Sequence, residues 1–212
     1  MKKSFKIYCL GLLLSLFSHI DAHAGQLINA PYQICFTPGG HCTNLIIETL
    51  NKAHKSIYIQ AYSFTSFPIA QALVRAKNRG VVVKIILDKS HIKKNQFTLL
   101  PFFQKNNIEV WIDYKPAIAH NKLMIIDNNI VITGSFNFTK AAEEKNAENL
   151  LVISNDELAK AYLNNWFARQ NQSHHIRPAS NDMDFPNEKQ DDFVRFHHSY
   201  KKILNKLNAF WE

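Results

Sequence analysis

The stretch SIYIQAYSFTSFPIAQALVRAKNRGVVVKIIL, residues 56–87, decides the fold class. Its first nine residues are rich in β-branched and aromatic side chains, which predicts a strand over 56–64. Apolar residues then recur at helical spacing over 69–79, and Gly80 follows in the place of a left-handed helix cap. A second apolar run over 81–87 completes a strand–helix–strand unit, which implies two parallel strands joined by a right-handed crossover.

The segments on either side extend this unit into a larger sheet with helices. Helices are predicted over 43–54, 97–106 and 156–168, and further strands over 108–112, 122–126, 130–133 and 149–154. The turn Asp127-Asn128-Asn129 joins two of these strands as a hairpin, so the sheet contains antiparallel pairing as well. We therefore expect an α/β fold with a mixed, mostly parallel sheet flanked by helices on both faces.

Composition and charge limit the function classes. The 212 residues include 46% hydrophobic and 20% charged side chains, which excludes the disordered, collagen-like and coiled-coil classes. The net charge is +8, and it remains +6 without residues 1–24, which hold three lysines and one aspartate. A basic excess favours a polyanionic partner, either nucleic acid or an anionic membrane surface.

Residues 1–24 have the parts of a secretory signal peptide. Three lysines precede an apolar stretch over 7–17, and Ala-His-Ala at 22–24 gives a small-x-small cleavage pattern. The alternative is an uncleaved membrane anchor, but this apolar stretch is shorter than the roughly 20 residues that a spanning helix needs. We expect cleavage near Ala24 and a periplasmic or secreted protein.

Two cysteines, Cys35 and Cys42, follow the signal peptide. They flank a Pro-Gly-Gly turn that can bring their Cα atoms close, and an oxidising compartment then favours a disulfide. The rival interpretation is a zinc site that also uses His41. Three clustered ligands without C-x-x-C spacing are too few for such a site, so the disulfide is favoured.

The carboxyl-terminal part divides into a linker and a helix. A domain is predicted over 25–170, and residues 171–192 are polar with two prolines, which predicts a linker. Over 193–212 apolar residues recur at steps of three and four opposite lysines, which predicts an extra amphipathic helix. This helix either docks on its own domain or binds a membrane surface or a partner.

The residues that carry chemistry lie on the predicted hairpin. His120 and Lys122 share a face because side chains of an extended chain alternate, and Ser135 and Asn137 repeat this spacing after the next strand. A cation, a hydroxyl, an amide and an imidazole together suit a tetrahedral phosphate diester better than a carbonyl. No carboxylate pair flanks the motif, and Lys122 would repel a divalent ion, so neither a metal nor another cofactor is expected.

These residues resemble the signature of the phospholipase D superfamily. His120, Lys122 and Asp127 fill its H-x-K-x-x-x-x-D pattern, and residues 134–137 fill the following G-S-x-N. The similarity to the superfamily's small, single-motif bacterial endonucleases runs from about residue 34 to residue 166. It includes further blocks at 61–65, 69–73 and 148–149.

The resemblance implies a phosphohistidine mechanism in a homodimer, because small members with one motif assemble a single active site from two copies. His120 of one copy would attack phosphorus, and His120 of the other would protonate the leaving oxygen. Lys122 and Asn137 would hold the phosphoryl oxygens, with Ser135 in support. Glu148 would accept a hydrogen bond from the far ring nitrogen of His120.

Several residues around this set have two interpretations. Asp127 either acts directly in catalysis or is a structural residue of the turn. The basic cluster of Lys89, Lys93 and Lys94 either binds the DNA backbone or is an ordinary solvated surface cluster. His91, in the same predicted loop, is interpreted as a solvated or capping residue.

Three functions are compatible with these observations. The leading hypothesis is an exported, metal-independent nuclease that cleaves DNA, or RNA, with little sequence preference. The second is a phospholipase D that reaches phosphatidyl lipids through the predicted helix 193–212, although lipid-cleaving members usually carry two motifs in a longer chain. The third is a nucleic-acid-binding protein with an inactive site, which the complete set of motif residues does not support.

Overall fold

Eight strands form one sheet in the computed structural model, which describes residues 25–92 and 98–176. The strands are β1 (Tyr32–Thr37), β2 (Ser56–Ala61), β3 (Val82–Asp88), β4 (Glu109–Asp113), β5 (Lys122–Ile126), β6 (Ile130–Gly134), β7 (Glu148–Ser154) and β8 (His174–Ile176). The helices are α1 (Cys42–Asn51), α2 (Phe67–Asn78), α3 (Leu100–Lys105), α4 (Lys140–Glu144) and α5 (Asp156–Gln170), with a short 3₁₀ helix (Lys89–Ile92) after β3. Within these residues no helix is both long and apolar enough to cross a membrane.

The strand order is β1-β7-β6-β5-β2-β3-β4-β8. The predicted strand–helix–strand unit is confirmed, since α2 connects β2 to its parallel neighbour β3 and Gly80 has a φ of 91°. The predicted hairpin is confirmed as well, since β5 and β6 pair antiparallel. At its turn, Asp127 and Asn128 both have left-handed backbone conformations, with φ of 52° and 58°. A tight turn of this kind matches the right-handed twist of the two strands that it joins.

The α/β class and the mixed sheet are confirmed, but the expected predominance of parallel strands is wrong. Among the described strands, only β2 with β3 and β3 with β4 pair in parallel, and the other five neighbouring pairs are antiparallel. Parallel neighbours need a long crossover connection. Among the described elements, α2 and α3 form such crossovers between parallel neighbours, whereas β6 and β7, which α4 connects, pair antiparallel.

Helices cover both faces of the sheet, as predicted. Side chains of α1, α2, α3 and α4 belong to the larger hydrophobic core on one face, and those of α5 belong to a smaller core on the other. Trp166 of α5 is completely buried, and its Nε1 donates a hydrogen bond of 2.9 Å to the carbonyl of Ile59. This bond fixes α5 across the centre of the sheet.

The carboxyl-terminal strand β8 was not expected from the sequence. It pairs antiparallel with β4, so residues 174–176, which the sequence analysis assigned to the linker, belong to the sheet. The polar composition hid this strand, because Ile176 is its only fully buried residue. The predicted signal peptide, residues 1–24, and the predicted helix, residues 193–212, lie outside the described residues.

A disulfide joins β1 to the start of α1, as predicted. Cys35 and Cys42 are bonded with their Cα atoms 5.6 Å apart, and both side chains lie in the larger core. Neither thiol is therefore free to bind zinc, which removes the alternative metal site with His41.

Candidate active site

All motif residues except Asp127 lie at one end of the sheet, which we call the site end. Lys122 at the start of β5 pairs with Ala61 at the end of β2. Glu148 at the start of β7 pairs with Thr37 at the end of β1. Because β5 and β7 begin where their neighbours end, residues far apart in sequence meet at this end of the sheet.

His120 and Lys122 have opposite environments although they are two residues apart. His120 is exposed, whereas Lys122 is only 8% exposed. The Lys122 Nζ donates a hydrogen bond of 2.8 Å to the His120 carbonyl and lies 5.1 Å from the centre of the Tyr62 ring. The Tyr62 ring also lies 4.6 Å from the centre of the His120 imidazole, so it contacts both functional groups.

Burial controls the electrostatics of Lys122. Desolvation lowers the pKa of its ammonium below the ordinary value of 10.5, and the negative charge of Glu148 opposes this shift. A buried cation favours a negatively charged ligand, because a ligand of opposite charge compensates for the lost hydration. The Lys122 ammonium is therefore a candidate binding group for an anion.

The G-S-x-N segment after β6 is fixed by its aromatic residues. Phe136 and Phe138 are buried in the larger core and alternate with Ser135 and Asn137, which are half-buried. Gly134 is required at the start of the segment, because a Cβ there would lie 2.3 Å from the Asn149 carbonyl oxygen. The segment therefore passes close to β7, where Ser135 contacts Asn149.

Ser135 and Asn137 differ in how well their polar atoms are paired. Ser135 Oγ accepts hydrogen bonds of 3.0 Å from the Asn149 backbone N–H and 3.3 Å from its Nδ2. Asn137 Oδ1 is buried and has no hydrogen-bond partner among the described residues. An unpaired buried amide atom is costly, so Asn137 is poised to gain a partner from a ligand or from another chain.

Glu148 acts electrostatically on Lys122 but does not hold the His120 imidazole in this structure. Its Oε1 accepts a hydrogen bond of 3.0 Å from Asn146 Nδ2, and its charge acts on the ammonium of Lys122. Among the described contacts, no hydrogen bond joins Glu148 to the His120 ring. The predicted bond is absent from this structure, and the neighbour of the imidazole is Tyr62.

Asp127 lies away from this cluster, at the opposite end of β5. The five residue steps from Lys122 correspond to roughly 17 Å of extended strand. Its carboxylate accepts backbone N–H bonds of 2.9 Å from His54, 2.7 Å from Lys55 and 2.9 Å from Ser56. Of the two interpretations of Asp127, these hydrogen bonds favour the structural one, in which it fixes the start of β2, and a direct role in catalysis stays a prediction.

These hydrogen bonds also control the charge of Asp127. Burial raises the pKa of this carboxyl, but the hydrogen bonds from the N–H groups of Ser56, His54 and Lys55 together lower the pKa by more. The net shift of the pKa is therefore downward. A carboxylate that accepts three N–H bonds is strongly favoured in its charged form.

Lys89 has a different environment from the one expected for a DNA-binding residue. Its Nζ donates a hydrogen bond of 2.8 Å to the carbonyl of Pro116, in the loop before His120. The lysine thus stabilises this loop, and its contact with a nucleic-acid backbone stays a prediction. Lys93 and Lys94 lie outside the described residues.

Two buried residues behind the site were missed by the sequence analysis. Asp88 at the end of β3 accepts hydrogen bonds of 2.7 Å from the backbone N–H of Ala119 and 2.8 Å from that of Ser90. His91 is 5% exposed rather than solvated, and its Nε2 donates a bond of 3.0 Å to the Tyr62 carbonyl. The apolar run that ends in Asp88 was the available signal, because parallel strands direct their carboxyl ends to one edge.

Desolvation lowers the pKa of His91, and its bond to Tyr62 and the charge of Asp88 oppose this shift. For Asp88, burial raises the pKa, but the N–H groups of Ala119 and Ser90 and the nearby His91 lower it overall. Both groups therefore act as fixed hydrogen-bonding supports, one for the loop before His120 and the other for Tyr62.

Comparisons with known proteins agree with this geometry. Residues 46–170 match the family described as "Cardiolipin synthase, PLD-like domain". The chain is 52% identical over 136 residues to a protein named Phospholipase D from Rickettsia typhi, with 64% of this chain and 66% of that protein covered.

Two solved structures are also similar. One is Nuc from Salmonella typhimurium, a phospholipase D family member, with 39% identity, a TM-score of 0.66 and coverage of 70% of this chain and 99% of that one. The other is NucT from Helicobacter pylori, with 26% identity, a TM-score of 0.63 and coverage of 69% and 99%.

The family match contains the residues that the structure brings together at the site end, from Tyr62 through His120 and Lys122 to Glu148. The match covers more than half of the chain. Both its first and its last residue belong to helices that pack on the one described sheet. On this combination of match, fold and motif geometry, the chain belongs to the phospholipase D superfamily.

Proposed function

We propose that this protein is an exported, metal-independent phosphodiesterase that cleaves DNA, or RNA, with little sequence preference. The observation that carries the proposal is the buried ammonium of Lys122, 2.8 Å from the backbone of His120. It supplies a positive charge beside a solvent-accessible imidazole, which is the arrangement that attack on a phosphate diester needs. The net charge of +8 suits a polyanionic substrate.

The reaction proceeds by two displacements at phosphorus. A ring nitrogen of His120 attacks, a P–N bond forms, and the P–O bond to the leaving nucleotide breaks. The leaving oxygen takes a proton from a second imidazole, which becomes the base for the next step. Water then gives up a proton to that imidazole and attacks phosphorus, so the P–N bond breaks and the free phosphate monoester leaves.

Lys122 supports the metal-independent character of this reaction. Its ammonium neutralises charge on the phosphoryl oxygens in both steps, which in other phosphodiesterases is the contribution of a divalent ion. Asn137 supports the same step, because its Nδ2 can donate to a phosphoryl oxygen, while its buried Oδ1, which lacks a partner among the described residues, can accept from a donor of the ligand or of a second chain. The amide then stabilises the complex by a bond that the free protein does not have.

The second imidazole comes from a second copy of the chain, so the active enzyme is a homodimer. The support for this step is a surface that we call the β1 strip: Tyr32, Ile34 and Phe36 alternate along the edge strand β1 and are 68%, 54% and 60% exposed. An exposed apolar row of this kind is typical of an interaction surface. It leads directly to Thr37, which pairs with Glu148 at the site end.

A phospholipase D activity on phosphatidyl lipids is the second candidate. The observation that favours it is the 52% identity to a rickettsial protein named Phospholipase D. The headgroup diester of a lipid requires the same attack by His120. The two substrates differ in what surrounds the phosphate, and the G-S-x-N segment supplies the polar side chains of Ser135 and Asn137 at the site end.

One pair of assays distinguishes these functions. Purified protein is incubated with plasmid and single-stranded DNA in excess EDTA, and in parallel with phosphatidylcholine vesicles. The nuclease proposal expects DNA fragments in EDTA and no released choline. Complete loss of DNA cleavage in EDTA, restored by added divalent ions, would overturn metal independence, and choline release without DNA cleavage would favour the lipase.

His120→Ala is the control for both assays. It removes the nucleophile and little positive charge, so it should bind DNA as well as the unmodified protein and lose cleavage by several orders of magnitude. Near-normal cleavage by this variant would show that a contaminating nuclease or a different residue is responsible.

A further inference from the structure

A cleft lies between α5 and the sheet, on the face opposite α1 and α2. Gln60, Leu123 and Thr133 form a row of cross-strand neighbours on β2, β5 and β6, and all three line this cleft. Tyr162 and Asn165 of α5 line it from the other side. Its volume of 460 Å³ lies within the range of small-molecule sites. We call it the α5 cleft.

The α5 cleft contains a buried donor that lacks a partner. Gln60 is 3% exposed, and its Oε1 accepts a hydrogen bond of 2.8 Å from Asn121 Nδ2. Its Nε2 is buried and has no hydrogen-bond partner among the described residues. An N–H in this state costs free energy that a bound acceptor recovers, so the cleft is suited to a ligand with acceptor atoms.

The lining indicates the chemical class of that ligand. Around the Gln60 amide stand the hydroxyls of Thr133 and Tyr162, the amide of Asn165 and the apolar side chain of Leu123. Neutral donors and acceptors beside apolar walls suit a flat heterocycle with a hydrogen-bonding edge, and amide side chains are the common partners of nucleobase edges. A phosphate group would require cations, and the one lining cation, Lys122, directs its ammonium to the His120 carbonyl.

The position of Asn121 connects this cleft to the reaction. Asn121 lies between His120 and Lys122, and alternation along the extended chain directs its side chain to the opposite face, where it contacts Gln60. The cleft therefore begins one residue from the nucleophile. A nucleotide whose phosphate sits at His120 can place a neighbouring base around the start of β5.

We propose that the α5 cleft is a nucleobase-binding subsite, which holds one base next to the scissile phosphodiester through Gln60, Thr133 and Asn165. The proposal rests on the proposed nuclease function. It adds to that function a measurable base preference at a single position beside the cut, caused by the Gln60 N–H donor and its neighbours.

Direct binding tests the subsite without any cleavage. The probes are the four deoxynucleosides, which lack phosphate and so have no affinity for the Lys122 ammonium. Titration into ¹⁵N-labelled protein should shift the side-chain amide signals of Gln60, Asn121 and Asn165. Thr133→Val keeps the side-chain shape and Asn165→Ala leaves the buried residues intact, and each should weaken the best nucleoside about fivefold, the factor that one neutral hydrogen bond supplies.

Asn164→Ala is the matched control, because Asn164 is the exposed neighbour on the same helix and does not line the cleft. It should bind nucleosides as the unmodified protein does. Absence of shifts at the cleft amides with all four nucleosides would overturn the proposal. Equal losses in Asn164→Ala and Asn165→Ala would overturn it as well, because the effect would then belong to the helix and not to the cleft.

Sequencing of cleavage ends from a randomised single strand tests the consequence. The unmodified protein and Asn164→Ala should favour one base about fivefold at one position beside the cut, and Thr133→Val should reduce this preference below about twofold. A flat profile from an active enzyme would overturn the subsite and leave the nuclease proposal intact. Nucleoside binding in a protein that cleaves no nucleic acid would retain the subsite and overturn the proposed nuclease.

Discussion

Two residues apart in sequence, His120 and Lys122 are suited to different tasks by their exposure. The exposed imidazole is accessible to substrate, while burial lowers the pKa of the Lys122 ammonium and Glu148 opposes the shift. The ammonium is the acid form of lysine, so it is lost as the pH rises through its folded pKa. That pKa lies below the ordinary value of 10.5.

The first prediction is that kcat/KM on DNA decreases at alkaline pH as Lys122 loses its charge. The midpoint of this alkaline limb of the pH profile should lie below pH 10.5. Glu148→Gln removes the charge that raises this pKa, so its limb should move to lower pH. Rates measured across alkaline pH at constant ionic strength test both statements. A limb that stays in place in Glu148→Gln would show that the group titrating in this range is not Lys122.

The second prediction separates Asp127 from catalysis. Asp127→Asn keeps a residue that tolerates the left-handed turn but loses the charge that accepts three backbone N–H bonds, so the free energy of unfolding should fall by about 1 to 2 kcal/mol. Cleavage by the folded variant should remain within about threefold of normal, because Asp127 is roughly 17 Å of strand away from Lys122. Denaturant unfolding and single-turnover cleavage measure the two quantities. A loss of cleavage comparable to that of His120→Ala would assign Asp127 to the catalytic set.

The sign of its pH dependence follows from the lowered pKa. Because the folded carboxyl holds its proton less tightly than the unfolded one, the stabilisation is complete above the unfolded value and decreases as the pH falls through the folded pKa. The stability difference between the two proteins should therefore shrink as the pH falls below about 3.9.

At the scale of elements, the loop between β4 and β5 carries His120, and the end of β3 holds it. Asp88 accepts the N–H of Ala119, directly before His120, and Lys89 donates to Pro116 in the same loop. A precise position of the imidazole thus depends on the end of β3, which does not pair with β5, as well as on β5 itself.

The third prediction concerns this support. Asp88→Asn replaces one acceptor oxygen by a donor, so the Ala119 contact weakens and kcat should fall about tenfold to a hundredfold with a smaller change in KM. Glu109→Gln at the opposite end of the neighbouring strand β4 is the matched control and should keep normal kcat. Equal kcat for the two variants, both shown to be folded, would remove Asp88 from the support of the nucleophile.

The fourth prediction concerns the connection of β1 to α1. Replacement of Cys35 and Cys42 by alanine opens a short loop, so the free energy of unfolding should fall by about 2 kcal/mol. Denaturant unfolding measures this loss, and alkylation followed by mass spectrometry counts free thiols. Two alkylated cysteines in protein exported to an oxidising compartment would contradict the bond.

At the level of single elements, the sequence predicts those strands, helices and turns that have a local sequence pattern. The crossover at 56–87 and the turn at Asp127 and Asn128 were predictable, because a helical period between apolar runs and a left-handed turn pair are local signals. The edge strands β1 and β8 were not, because Tyr32, Ile34 and Phe36 are exposed and β8 has three residues. Beyond this crossover and this hairpin, pairing direction was not predictable, since an apolar strand does not encode the orientation of its neighbour.

In the site, residue types were predictable and contacts were not. The spacing of His120, Lys122, Ser135 and Asn137 placed all four at the site end. The support by Asp88, the contact of Tyr62 with His120 and the displaced position of Asp127 depend on tertiary pairing. No short-range pattern contains that information.

For the whole molecule, the site end brings together three surfaces: the imidazole with its buried cation, the α5 cleft behind Asn121, and the β1 strip that ends at Thr37. The first two lie on opposite sides of the start of β5, and the third approaches from the edge of the sheet. A nucleic acid bound at His120 would thus contact both faces of β5, while the edge strand stays available for a second copy.

The last prediction tests that second copy. If both imidazoles of one reaction come from two chains, equilibrated equal mixtures of unmodified and His120→Asn protein should retain about a quarter of the activity, because a mixed dimer has one nucleophile for a shared site. Independent sites would retain about half.

A charge in the exposed β1 strip tests the same second copy. Ile34→Lys should shift the protein to monomer in sedimentation and lower cleavage. The free energy of unfolding of the monomer should stay unchanged, because Ile34 is 54% exposed. Lys55→Glu, a charge change on an exposed residue at the opposite end of β2, is the control and should remain a dimer. An active monomeric Ile34→Lys variant would show that one chain completes the reaction alone, and the shared-site mechanism would then have to be abandoned.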